Sequence, residues 1–170
     1  MASLPLQFLI GCPGSGKSFL AEQLRQCLSQ YEIIATDQIR LKLYGHEATQ
    51  GLWSEVEKAV FAQIQQLQTT GYGIIYDATN AQFIYRQQFL AKLKDYGITQ
   101  VNAWVLQTPL ELCLNRNQRR SRQVPFEIIK AMDEQIQQQP PQLSEGFEQI
   151  IKIAGDQDLI QVLNSHFQRG

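Results

Sequence analysis

The sequence predicts an α/β domain in which five parallel strands lie between two layers of helices. Short apolar runs alternate with longer amphipathic stretches, and the first apolar run ends in a glycine-rich turn, Gly11 to Gly16. Length agrees with both features: 170 residues are one domain's worth of chain, and residues 1–170 are expected to form it.

The elements follow in order. Leu6 to Ile10 reads as a buried strand, and Ser18 to about Leu28 as a helix with Phe19, Leu20, Leu24 and Leu28 at helical spacing. Ile33 to Thr36 is a second short strand. From Trp53 to Gln68, Val56, Val60, Ile64 and Leu67 fall on one helical stripe. Gly71 and Gly73 punctuate the chain before a third strand, Ile74 to Tyr76, which ends at Asp77. Phe83 to Tyr96 is a helix stopped by Gly97, and Val101 to Leu106 a fourth strand. A helix from about Leu110 runs into the basic stretch Arg116 to Arg122. Phe126 to about Gln138 is a helix broken by Pro140 and Pro141, Glu148 to Ile153 the fifth strand, and Leu159 to Phe167 the terminal helix. Strands separated by long helices form βαβ units, so the sheet is parallel.

Composition narrows the possible functions. With 44% hydrophobic and 18% charged residues, the chain belongs with ordinary globular proteins and not with disordered or fibrous ones. A net charge of -1 excludes binding to nucleic acid by bulk charge alone and leaves a local basic site open. No apolar run approaches the ~18 residues of a membrane span. The N-terminus lacks the pattern of an export signal, so neither membrane nor secretion is expected. Cys12, Cys27 and Cys113 are widely spaced and contain no C-x-x-C pair. They predict neither a disulfide framework nor a zinc site, and fit reduced thiols in a cytoplasm. Nothing in the sequence calls for an obligate protein partner.

The chemistry begins at Gly11-Cys12-Pro13-Gly14-Ser15-Gly16-Lys17-Ser18, which fits G-x-x-x-x-G-K-[ST] without a gap. Glycines let the backbone curl so that successive N–H groups face an anion, and the helix that follows adds its positive end. Lys17 reaches the β- and γ-phosphates, and the Ser18 hydroxyl ligates Mg²⁺. The string would arise by chance in well under ~1% of chains this long. It also sits between a strand and an amphipathic helix, as its chemistry requires. A purine triphosphate, expected to be ATP, follows, and the fold narrows to a three-layer P-loop NTPase; the kinase type is what the resemblance below implies.

Asp77 ends the third strand after Ile74-Ile75-Tyr76, the arrangement of a Walker B acid that holds Mg²⁺ directly or through water. Its alternative is a polar strand end that caps the next turn. Asp37 follows the second strand on the rim where open α/β sheets bind ligands. There it could take the proton of an attacking hydroxyl, while Arg40, one turn on, pairs with an anion on the acceptor. Alternatively, Asp37 is the N-cap of a short helix and Arg40 a surface cation. Arg116, Arg119, Arg120 and Arg122 lie within seven residues and suggest a lid over about 115–124, since phosphoryl transfer needs cations on the γ-phosphate. A solvated basic face or a patch for nucleic-acid phosphates is the other reading. Cys12 fills a variable loop position as a packing residue, although its oxidation could block ATP. Trp53 and Trp104 fall on apparent packing stripes, and His46 and His166 are isolated.

Taken together, the chain resembles the P-loop kinase group related to polynucleotide 5′-hydroxyl kinase. The resemblance rests on Gly11–Ser18, Asp37-x-x-Arg40, Asp77-Ala78-Thr79-Asn80, the arginine-rich lid with Arg122-Gln123-Val124, and Pro140 to Phe147. It implies that Lys17 and Ser18 hold ATP and Mg²⁺, that Asp37 is a general base and that Arg40 contacts the acceptor. It further implies that Arg116, Arg120 and Arg122 clamp the donor phosphates. The expected activity is ATP-dependent phosphorylation of a polynucleotide 5′-hydroxyl, with Lys17, Asp37, Arg40 and Arg120 carrying the reaction. One alternative is a small-molecule hydroxyl kinase acting on a metabolite, sugar or antibiotic. Another, of a different class, is a nucleotide-gated binding module without acceptor turnover.

Overall fold

Side-chain alternation along the strands decides the layering. In strand β1 (Leu6–Ile10), Leu6, Phe8 and Ile10 enter one core cluster and Leu9 the opposite one. The same alternation recurs in β3 (Gly73–Asp77), where Ile74 and Tyr76 oppose Ile75, and in β4 (Val101–Leu106), where Ala103 opposes Trp104. A strand buried on both faces needs cover on both. The computed structural model, which describes residues 4–167 except 47, 48 and 50, supplies it. Helices α1 (Lys17–Cys27) and α7 (Asp156–Phe167) pack on the Leu9 side through Leu20, Leu24, Leu159 and Leu163. Helices α3 (Trp53–Thr70) and α4 (Phe83–Asp95) pack on the Phe8 side through Val60, Ile64, Phe89 and Leu93. There Tyr76 stacks on Phe89 with centroids 4.4 Å apart, and Phe8 meets Phe147 at 5.5 Å. Each fully buried side chain of this size contributes about 1.5–3 kcal/mol, so the two faces hold most of the stability.

With β2 (Tyr31–Ala35) and β5 (Gln149–Ile153), the five strands run parallel in the order β2-β3-β1-β4-β5. The expected three-layer α/β architecture is therefore present. After β1 the chain crosses to one side of the sheet and later returns to the other, so a crevice opens at the carboxyl end of β1. Helices α5 (Leu110–Gln118) and α6 (Phe126–Gln138) flank that crevice, with the arginine-rich residues 119–125 between them.

Two elements differ from expectation. Thr36 opens a helix, α2 (Thr36–Tyr44), instead of closing the second strand, which begins earlier, at Tyr31. The β-branched run Ile33-Ile34 masks the start of α2. That helix buries only Thr36 and Ile39, too few positions to show a period. A 3₁₀ turn at Leu143–Glu145 also escapes periodicity.

That turn anchors one buried ion pair. Arg86 of α4 donates from Nε and Nη2 to both Glu145 carboxylate oxygens, at 2.8 and 3.1 Å, with both side chains withdrawn from water. Arg86 also donates to the carbonyls of Ala81 and Gln139, at 2.9 and 2.8 Å. The pair thus ties the loop after β3 to the chain before β5. Removing one partner strands a buried charge, so Glu145→Ala should cost about 3–5 kcal/mol of unfolding free energy in urea titration. The double replacement Arg86→Met/Glu145→Leu should recover much of that loss, whereas a coupled pair that is dispensable would show neither effect.

Candidate active site

The loop between β1 and α1 curls because two glycines allow it. Gly14 has φ +84°, and a Cβ there would lie 2.4 Å from the Cys113 carbonyl oxygen of α5. Gly16, at φ +102°, sits where α1 begins. Helix α1 has no capping side chain and no acidic residue in its first turn. Its first N–H groups and the positive end of its dipole therefore face the crevice without a side-chain acceptor.

The loop is braced from behind. The Gly11 N–H donates to the Thr79 carbonyl at 3.1 Å, and Asn80 Nδ2 donates to the Leu9 carbonyl at 2.7 Å. Asn80 takes a left-handed backbone, φ 52°, which asparagine tolerates better than most residues. The Asp77–Asn80 segment thus fixes the end of β1 as well as presenting Asp77. Arg116, at the end of α5, reaches the loop backbone, its Nη1 within 3.4 Å of the Gly14 carbonyl and 3.5 Å of that of Ser15.

Inside the crevice, Lys17 Nζ donates to the Cys12 carbonyl at 3.1 Å. The Ser18 hydroxyl donates to Asp77 Oδ2 at 2.9 Å, joining α1 to the tip of β3. Burial holds the Lys17 ammonium below the ordinary lysine range, opposed by the charge of Asp77. Burial likewise pushes Asp77 above the usual carboxylate range, opposed by Lys17 and by the Ser18 hydrogen bond. Desolvated charges of this kind mark a place prepared for a charged ligand.

Asp37 lies in the first turn of α2, whose N-cap is Ala35, so the capping alternative for Asp37 is not met. Its carboxylate is 58% exposed and meets Arg40 Nη1 at 3.2 Å and Arg122 Nη1 at 3.6 Å. The charge of Asp37 reaches both Lys17 and Asp77. Arg40 Nε is buried without a hydrogen-bond acceptor among the described residues.

One cleft of about 850 Å³ joins these groups, lined by Lys17, Ser18, Asp37, Arg40, Asp77 and the lid's Arg120 and Arg122. Arg120 also acts electrostatically on Lys17 and Asp77. Arg116 and Arg119 do not line the cleft. Of the expected site residues, then, Arg120 and Arg122 line the cleft, while Arg116 sits by the loop's Gly14 and Ser15 carbonyls. Trp104 packs in the core as expected, fully buried and donating to Gln7 Oε1 at 2.7 Å. Trp53 does not: as the first residue of α3 it stays 41% exposed and lines the cleft, as does Tyr85 at 53%. Sequence reasoning started this helix at Trp53, as observed, and counted the residue with the packing stripe, whereas its side chain lines the cleft. For Tyr85 there was no signal at all.

The residues fit a magnesium nucleotide. Ser15 Oγ is buried in the curl without a partner, the glycine backbone leaves room for phosphates, and Lys17 supplies a desolvated cation. The Ser18 hydroxyl and Asp77 carboxylate form an all-oxygen donor pair. That suits Mg²⁺, which is typically held by one or two carboxylates together with phosphates.

A family model for the AAA domain matches residues 6–140. No curated protein matches the sequence. Among solved structures, the chain is similar to one from the Pnkp1/Rnl/Hen1 RNA repair complex, at 22% identity and a TM-score of 0.71. That match covers 81% of this chain and 46% of the other, so this chain spans about half the length of that relative. A tunicamycin resistance protein from Deinococcus radiodurans matches at 18% identity and a TM-score of 0.65, covering 97% and 96% of the two chains. Kti12 from Chaetomium thermophilum, in complex with ADP-AlF3, matches at 16% identity and a TM-score of 0.72, covering 96% and 98%. All three share the fold. No helix among the described residues is long and apolar enough to cross a membrane.

The two desolvated charges set a pH window for binding. A carboxylate at Asp77 would hold a cation only when ionised, and its raised pKa means protonation begins above the ordinary ~3.9 as pH falls. An ammonium at Lys17 would bind phosphate only when charged, and its lowered pKa brings charge loss below the ordinary ~10.4 as pH rises. Calorimetric MgATP titrations across pH should therefore give an affinity that falls on both sides of neutrality. Asp77→Asn should flatten the acid side relative to the parent protein. An unchanged acid side in that variant would contradict the assignment.

Proposed function

The chain belongs to the AAA domain family, and on that footing we propose that it is an ATP-dependent kinase acting on a hydroxyl acceptor, foremost a polynucleotide 5′-hydroxyl. One observation carries the reading: across a single cleft, an exposed carboxylate held by two arginines faces a phosphate loop with its lysine, serine and acid.

Each group then has a role. Asp37 accepts the proton of the acceptor hydroxyl at a carboxylate oxygen, and its exposure leaves that oxygen open to substrate. Arg40 and Arg122 aim the carboxylate, and Arg40 also takes the acceptor's neighbouring phosphate. Lys17 and Arg120 bring positive charge to the γ-phosphate, and the amides of residues 11–18 and the arginines of the lid hold the donor. Mg²⁺, bound through Ser18 and Asp77, would neutralise charge on the β- and γ-phosphates. The exposed faces of Trp53 and Tyr85 support a polynucleotide end, because bases stack on aromatic rings at the mouth of such clefts. The coarser likeness to an RNA repair chain agrees.

A second acceptor class rests on its own observation. Gln38, Gln82, Gln123 and Gln135 line the same cleft, and neutral amides suit the hydroxyls of a small metabolite, sugar or antibiotic. The third reading, a nucleotide-gated binding module, keeps the donor site and dispenses with Asp37.

Labelled ATP with 5′-hydroxyl DNA and RNA oligonucleotides separates them. We expect transfer to the oligonucleotide, reduced about 10²–10⁴-fold in Asp37→Asn with MgATP binding retained. Arg120→Ala should reduce transfer by about 10³-fold or more, as loss of a phosphate-clamping arginine does elsewhere. Transfer confined to small hydroxyl compounds would move the assignment to the second class. Binding of MgATP without transfer to any acceptor would overturn the kinase reading.

A further inference from the structure

The phosphate loop and helix α5 meet at two cysteines that the phosphate chemistry does not use. Cys12 Sγ and Cys113 Sγ share a hydrogen bond at 3.3 Å, although 101 residues separate them in sequence. Both are free thiols, with Cys12 3% and Cys113 0% exposed. The loop pattern leaves the second position open to any residue, so nothing about phosphate binding requires sulfur there. Around the pair, Ile129, Leu114, Val124 and Met132 form a small apolar cluster at the base of the lid. The backbones already touch, since a Cβ on Gly14 would come within 3.1 Å of Cys113 Cα.

We propose that Cys12 and Cys113 are a redox-modification site, oxidised to a reversible disulfide by a small peroxide, and that this disulfide weakens nucleotide binding. The second half rests on the donor site assigned above. In the first step the Cys12 thiolate attacks one peroxide oxygen, the O–O bond breaks, and hydroxide leaves Cys12 as a sulfenic acid. In the second, Cys113 sulfur attacks Cys12 Sγ, the S–S bond forms, and the hydroxyl leaves with a proton as water. Two electrons pass from the sulfurs to peroxide, which ends as two waters. The shared hydrogen bond with Cys113 favours thiolate at Cys12 and holds the Cys113 thiol protonated, and the Lys17 charge also favours that thiolate. Cys12, the less enclosed of the two and next to the cleft-lining Pro13, attacks first, and Cys113 resolves. Peroxide is of water's size, and the residue next to Cys12, Pro13, lines the cleft.

The consequence follows from where the slack lies. A disulfide brings the sulfurs from 3.3 Å to about 2.05 Å. Gly14 already rests on the Cys113 backbone, so the closure is taken up at Cys12, whose carbonyl holds Lys17 Nζ. Displacing a positioned group by about 1 Å can cost on the order of 100-fold in a reaction rate, and moving the Cys12 carbonyl away from Lys17 disturbs the group that holds the phosphates.

Hydrogen peroxide on the intact protein tests this, with the exposed Cys27 as an internal control. Peptide mapping should find Cys12 linked to Cys113 and Cys27 outside the link. MgATP affinity by calorimetry should fall by roughly tenfold or more and return with a dithiol reductant. Cys27→Ala should respond as the parent does, whereas Cys113→Ala, lacking the second thiol, should form no internal link under the same treatment. The proposal fails if peroxide leaves Cys12 unlinked or over-oxidised, or if the linked protein binds MgATP as before. If the reduced protein binds no MgATP, the donor-site reading fails instead, and the mapped link still judges the thiol chemistry.

Discussion

Everything at the site depends on how the chain leaves β1. The strand lies between β3 and β4, whose connections run to opposite sides, so no helix can cover its carboxyl end. Helix α1 points its uncapped, acid-free first turn into that opening. A helix end buried without acceptors is costly, and an anion is the partner that satisfies it. Gly14 makes the approach possible because no side chain fits between the loop and the Cys113 carbonyl. Asp77, Asp37 and the lid gain their meaning from this one prepared position.

Ion pairs of two kinds show how burial separates the scaffold from the proposed machinery. Arg86 and Glu145 are withdrawn from water and carry the loop after β3, so losing one partner endangers the fold. The Asp37 pairs with Arg40 and Arg122 involve a carboxylate more than half exposed. Pairs of that kind are worth about 0–1 kcal/mol, enough to orient an oxygen and too little to withhold it from substrate. The general base proposed at Asp37 needs that weakness.

Much of this was legible in sequence because the informative signals are local. The phosphate loop is contiguous, and five strands announce themselves as apolar runs bounded by turns. Asp77 closes a run of three apolar residues. Helix α2 was open in sequence only as an alternative, since a β-branched run precedes it and it buries only two residues. The capping alternative for Asp37 could be dismissed only once Ala35 was found at the helix boundary. Arg86 with Glu145 and Cys12 with Cys113 join residues 59 and 101 positions apart, distances that no periodicity spans. Four clustered arginines read as one lid, yet Arg120 and Arg122 line the cleft while Arg116, still on α5, reaches the Gly14 carbonyl instead.

The central claim is that backbone amides at the start of α1 take the phosphates of a nucleotide. Backbone amide resonances followed during titration with MgATP report this directly. The account predicts large shifts concentrated in Gly14 to Ser18, with Asp77 and Arg120 responding and α7 silent. Uniformly small shifts across the chain, or a response centred away from residues 11–18, would contradict it.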